Sequence, residues 1–145
     1  MNRRSILLVE DNPDDEELIL MSLRKNGIAN EVEVVRDGQE ALDRLLGGRA
    51  PSVAEGDGFP TLILLDLKLP KVDGLEVLKR LRGDPRTRLQ PVVILTSSDE
   101  ERDRVGSYAS GANSYVCKPV DFAAFAEAVK QLGLYWLILN KPPKA

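Results

Sequence analysis

A parallel α/β sheet with helices on both faces is the fold this sequence predicts. Three observations predict it. Short, solidly apolar runs rich in Val, Ile and Leu recur along the chain. Amphipathic stretches of helical length separate them. The 145 residues, 43% hydrophobic and 30% charged, suit one soluble domain with one core.

The elements follow in order. ILLV at 6–9 is the first strand, with VEVV at 32–35, LILL at 62–65, VVIL at 92–95 and SYVC at 114–117 after it. Runs this short and this apolar read as strands buried on both faces. Residues 14–26 form the first helix, with Leu18, Ile19, Ser22 and Leu23 on one face. Residues 38–46 present Ala41, Leu42, Leu45 and Leu46, and residues 74–82 present Leu75, Val77, Leu78 and Leu81. A more polar helix is expected over 99–110, and a last one over 121–139 carrying Phe122, Phe125, Ala126, Val129, Leu132 and Trp136. Gly27, Gly83 and Gly111 stand near helix ends, where glycine can form a left-handed cap. Five βα units in succession imply a parallel sheet. The segment GGRAPSVAEGDGFP at 47–60 reads as a loop.

Bulk properties exclude several functions. A net charge of −3 argues against a nucleic-acid footprint. No apolar run approaches the ~20 residues of a membrane span, nor a signal-peptide core. One cysteine, Cys117, allows no internal disulfide and fits a reducing, cytoplasmic setting. The absence of histidine removes His-based triads, His metal ligands and phosphohistidine chemistry within this chain.

Ligands of such sheets bind beyond the carboxyl ends of the strands. The first strand ends in Glu10-Asp11, the third in Asp66, the fourth in Thr96-Ser97 and the fifth in Cys117-Lys118-Pro119. VEDNPDDEE, residues 9–17, holds six carboxylates within eight positions. Asp14 to Glu17 match the positive end of a helix dipole. Glu10, Asp11 and Asp66 would raise one another's pKa unless a cation joins them. Mg²⁺, which takes one or two carboxylates and leaves room for phosphate oxygens, meets that need. Asp66 is then the best nucleophile, with Thr96 and Lys118 placed to receive phosphoryl oxygens. An acyl phosphate on Asp66 would act as a local charge switch.

Together VEDNP, LLDLKLPKVDGLEVL, VVILTSS and ANSYVCKPV resemble a response-regulator receiver domain of two-component signalling, over residues 4 to about 133. The resemblance implies a five-stranded sheet of order 2-1-3-4-5, the flavodoxin-like order, for which a receiver is a standard example. It implies that Asp66 is the phosphoacceptor and that Glu10, Asp11, Asp66 and the Lys68 backbone carbonyl hold Mg²⁺. It further implies Thr96 and Lys118 as phosphoryl contacts, a cis Lys118-Pro119 peptide, Tyr115 as the switch aromatic, and Lys68 and Ser98 as tuners of the phosphorylated lifetime. Glu10-Asp11 departs from the family's frequent Asp-Asp, and Ser97 supplies the small residue expected after Thr96. DNP, the 47–60 loop and the tail LGLYWLILNKPP more narrowly resemble small regulators paired with bacterial phytochromes. The implied partner is a light-sensing histidine kinase.

On this reading residues 1–133 are the receiver and 134–145 a helical extension and tail, with no output domain and with signalling through binding to a downstream protein yet to be found. Tyr135, Trp136, Leu137 and Leu139 are apolar around a whole helix, which fits a homodimer through the fourth helix, fifth strand and fifth helix. Leu20, off the expected core face, is a candidate kinase contact. Three rivals compete. A Mg²⁺-dependent phosphatase with an aspartate nucleophile would want an acid where Lys68 stands. A flavodoxin-like carrier would want a phosphate loop where EDNPDDEE stands. A scaffold with a vestigial pocket sits badly with the intact Glu10, Asp11, Asp66, Thr96 and Lys118 set.

Overall fold

The computed structural model describes residues 5–25, 27, 31–47, 59–96, 114–118, 123 and 125–127. In chain order these form β1 (Ser5–Val9), α1 (Pro13–Lys25), β2 (Glu31–Val35), α2 (Gly38–Leu46), β3 (Leu62–Asp66), α3 (Gly74–Gly83), β4 (Val92–Thr96) and β5 (Ser114–Cys117). Residues 123 and 125–127 are helical as well. The strands make one sheet of order β2-β1-β3-β4-β5, every neighbouring pair parallel. That is the order the family resemblance implied.

Strand pleating divides the core into two layers. Leu7, Val9, Ile63, Leu65, Val92 and Ile94 face one side, where α2 supplies Ala41, Leu42 and Leu45 and α3 supplies Val77, Leu78 and Leu81. Ile6, Leu8, Leu62, Leu64, Val93 and Leu95 face the other, where they meet Ile19 and Leu23 of α1 and Phe125. Burying each large aliphatic side chain contributes about 1.5–3 kcal/mol relative to exposing it. The central strands carry apolar residues on both faces because both faces are covered.

Capping fixes where the helices begin. Asp37 accepts a hydrogen bond from the Glu40 amide at 2.7 Å and opens α2. Asp73 accepts from the Glu76 amide at 3.0 Å and opens α3. Each satisfies an amide that has no partner within its helix. Before α1, the Asn12 side chain accepts from the Asp15 amide at 3.0 Å, and Pro13 needs no donor there.

The loop after β3 is pinned to the start of α2. Gly38 donates its amide to the Pro70 carbonyl at 3.2 Å. A Cβ at Gly38 would lie 1.7 Å from the Val72 carbonyl oxygen, so only glycine fits this approach. Lys71 adopts φ 69°, rare for a side chain with a Cβ, and its ammonium stands 3.6 Å from Asp37.

Three expectations change. β2 is an edge strand with Glu31 and Glu33 exposed, so it is not buried on both faces. Leu18 does not join the core face of α1: it is 56% exposed, whereas Leu20 is partly buried against the core. The α1 stripe is set by Ile19 and Leu23, one turn apart, and the neighbouring Leu18 turns outward. Gly27 does take the left-handed cap at φ +67°, but Gly83 is the last helical residue of α3 and Asp84 caps it with ordinary extended angles. Gly111, the expected helix over 99–110 and most of the last helix lie outside the described residues.

Candidate functional site

Strand register assembles the site. Val9 pairs with Leu65, so the next residues, Glu10 and Asp66, leave adjacent strands at the same level. Asp66 itself pairs with Leu95, and Thr96 pairs with Cys117, which brings Lys118 to the same end of the sheet. The sheet order reverses between β1 and β3, the place where open α/β sheets leave a crevice.

Lys118 is the hub. Its ammonium donates to Asp66 Oδ2 and to Asp15 Oδ2, each at 3.0 Å. It also stands 2.7 Å from Glu10 Oε1. That third contact is of charge-assisted hydrogen-bond length and is the strongest influence holding Glu10 ionised against its burial. Glu10 Oε2 accepts the Asn12 amide at 3.2 Å, and Asp66 Oδ1 accepts the Lys68 amide at 3.4 Å.

Burial sets the electrostatics. Loss of solvation pushes Glu10 from the usual 4.5 up to about 7; the Lys118 ammonium opposes this, and the nearby Asp66 adds to it. Burial favours a neutral Lys118 amine, but its three carboxylate neighbours outweigh that and hold the ammonium more firmly protonated than usual. Among the described residues one cation, Lys118, serves Glu10, Asp15 and Asp66.

The donor set fits a divalent metal. Carboxylate oxygens of Glu10, Asp11 and Asp66 all lie within 4.8 Å of one another. Each carboxylate keeps lone pairs beyond those its donors use, and a hard cation can share them. Asp11 is exposed at the mouth, and beside it opens a cleft of about 730 Å³ walled by Leu67, Lys68, Leu69, Pro70, Leu75 and Lys79.

Of the residues expected from the sequence, the structure brings together Glu10, Asp11, Asp66 and Lys118. Lys68 lies on the adjoining loop, exposed. Thr96 and Tyr115 are described by their backbones alone: Thr96 ends β4, and Tyr115 pairs with Ile94. Ser97, Ser98, Pro119, Tyr135, Trp136, Leu137 and Leu139 lie outside the described residues. Sequence reading missed Asp15, which it had assigned to the helix dipole. The only hint in the sequence is its place in the first turn after a strand-end acid pair.

Comparison with known proteins decides the family. The response regulator receiver domain pattern matches residues 6–130. This chain belongs to the response-regulator receiver family. The receiver superposes on the bacteriophytochrome response regulator AtBRR with a TM-score of 0.84 and 53% identity, over 97% of this chain and all of that one. It is 41% identical to the probable methanogenesis regulatory protein FilR2 of Methanothrix harundinacea, over 95% of this chain and 86% of that protein. It is 37% identical to the response regulator Rcp1 of Synechocystis, over 91% of this chain and 88% of that protein. The Mn²⁺-bound structure of Rcp1 superposes with a TM-score of 0.69 at 35% identity, over 97% of this chain and 99% of that one. The receiver is thus a phosphoacceptor-type response regulator, homologous to phytochrome-associated regulators, and its family implies a histidine kinase partner. Its acidic cluster can hold a divalent metal. Among the described residues, no helix is long and apolar enough to cross a membrane.

Proposed function

We propose that Asp66 accepts a phosphoryl group from a sensor histidine kinase, with Mg²⁺ held by Glu10, Asp11, Asp66 and the Lys68 carbonyl. The observation that carries this reading is the buried Asp66 carboxylate, 3.0 Å from the Lys118 ammonium and within one cluster with Glu10 and Asp11. Asp66 attacks the phosphorus of the kinase's phosphohistidine. The P–N bond breaks, the imidazole leaves with its electron pair, and an acyl phosphate forms. A divalent cation held by these residues would offset the charge of the incoming phosphoryl group. Lys118 pairs with one phosphoryl oxygen, and Thr96 donates its hydroxyl to another.

Phosphorylation adds charge and acceptor oxygens at one buried point, which Thr96 and Tyr115 convert into a surface change. Lys68 and Ser98 tune how long the acyl phosphate lasts. The chain acts as a phosphoacceptor in the cytoplasm and turns over no separate substrate. Its kinase is of the phytochrome type, supported by the likeness to AtBRR over nearly the whole chain. Tyr135, Trp136, Leu137 and Leu139 supply a homodimer contact together with the fourth helix and fifth strand. The partly buried Leu20 gives way to Leu18 and Met21 as kinase contacts on α1, which are 56% and 54% exposed.

Intact mass after acetyl phosphate and Mg²⁺ tests the reading. The wild type should gain about 80 Da, one phosphoryl group, only with Mg²⁺ present, and Asp66→Asn should gain nothing. An adduct that survives in Asp66→Asn, or a wild type that neither gains mass nor binds beryllofluoride, would refute it.

A further inference from the structure

Among the described residues Lys118 touches three carboxylates, and they are not equivalent. Glu10 and Asp66 belong to the cluster that can hold a metal. Asp15 does not; it reaches the ammonium from the first turn of α1, 103 positions away in sequence. Its backbone is fixed there, because its amide donates to the Asn12 side chain at 3.0 Å. Its carboxylate is partly exposed, while the lysine side chain is largely buried.

A divalent cation on Glu10, Asp11 and Asp66 changes the balance around Lys118. It draws the charge of two of the lysine's three partners onto itself, and it repels the ammonium. Asp15 is left as the carboxylate that still offsets the lysine's charge. Without it, a flexible four-carbon stem has a cation on one side and solvent on the other.

We propose that Asp15 is a positioning residue, which holds the Lys118 ammonium beside Asp66 when a divalent cation occupies the neighbouring carboxylates. The proposal rests on the phosphoacceptor reading above. It assigns Asp15 no contact with the phosphoryl group; Asp15 acts through Lys118.

The test is the rate of phosphorylation by acetyl phosphate at saturating Mg²⁺, followed by intact mass, in wild type, Asp15→Asn, Lys118→Ala and the double variant. Lys118→Met provides a second background should the alanine variant fold poorly. Asp15→Asn should slow the reaction about twofold to fivefold, the upper part of what a partly exposed charge pair is worth. In either Lys118-substituted background the same change should cause no slowing. Mg²⁺ affinity should stay within about twofold, since Asp15 is not among the metal-cluster carboxylates. Asp15→Glu should recover part of the rate. An Asp15→Asn protein as fast as wild type, or faster, would overturn the proposal, the latter by showing that Asp15 withholds the ammonium. Equal slowing with and without Lys118 would also overturn it, by assigning the effect to folding or to the general field. Failure of the phosphoacceptor reading shows separately, in the wild type alone, as no adduct and no beryllofluoride binding.

Discussion

Replacing glycine by alanine at the two ends of α3 should move stability in opposite directions. A Cβ at Gly74 would lie 2.2 Å from the Asp66 carbonyl oxygen and 2.7 Å from the Leu67 Cα. Both obstacles are backbone, so no side chain can swing away. Relief needs a shift of about 1 Å in the end of β3 or the first turn of α3, and overpacking of this kind costs about 1–3 kcal/mol. With two fixed obstacles the upper end applies. About 3 kcal/mol corresponds to a fall in Tm of roughly 10 °C for a chain this long. The carbonyl displaced belongs to Asp66, so acetyl phosphate should react about tenfold more slowly or worse. At Gly83 a Cβ meets nothing within 4 Å, and φ is not in the left-handed region. Gly83→Ala should therefore stabilise by about 0.5 kcal/mol, through the lower entropy of the unfolded chain. Thermal and urea denaturation of both variants measure the pair. A Gly74→Ala protein that melts with the wild type and reacts at its rate would refute the close approach of α3 to the phosphoacceptor strand.

Other outcomes follow from the site and the caps. Because Glu10 titrates near 7 before metal binds, Mg²⁺ affinity measured by calorimetry should fall about tenfold from pH 8 to pH 6, with proton release at the lower pH, and Glu10→Gln should abolish that dependence. The same raised value means the metal-free fold holds a proton that the unfolded chain has lost between pH 4.5 and about 7; this stabilisation is complete below 4.5 and disappears as pH rises through 7, so acid should cost less stability there than for an ordinary buried ion pair. Asp37→Ala removes the α2 cap and the Lys71 partner, and should lower stability by about 1 kcal/mol in urea titration without affecting Mg²⁺ binding. Leu18→Asp should slow transfer from the cognate kinase while leaving acetyl phosphate kinetics unchanged; equal kinase rates would remove α1 from the docking surface.

The apolar runs were legible because β1, β3 and β4 are covered on both faces, and their register then delivers Glu10, Asp66 and Lys118 to one place. β2 was harder. VEVV and VVIL are both short aliphatic runs, with one glutamate as their single polar residue, yet one is an edge and the other is interior. On α1, Leu18 and Leu20 flank Ile19 with equal hydrophobicity, and only the sheet beneath decides which turns outward. Asp15 was hidden among identical neighbours. Nothing local distinguishes it from Asp14 or Glu17; its partner is set by the fold of a strand more than a hundred residues later.

The edge strand has a consequence for how copies of this protein meet. β2 ends the sheet and turns Glu31 and Glu33 outward at alternate positions. Another strand laid along it would be met by two glutamates on one face, with Arg44 2.9 Å from Glu33. Charged edges of this kind discourage strand addition, and with it the ribbon-like stacking that leads to fibrils. Association of copies by strand addition should therefore not start at β2, the edge of the sheet two strands from the one that carries Asp66.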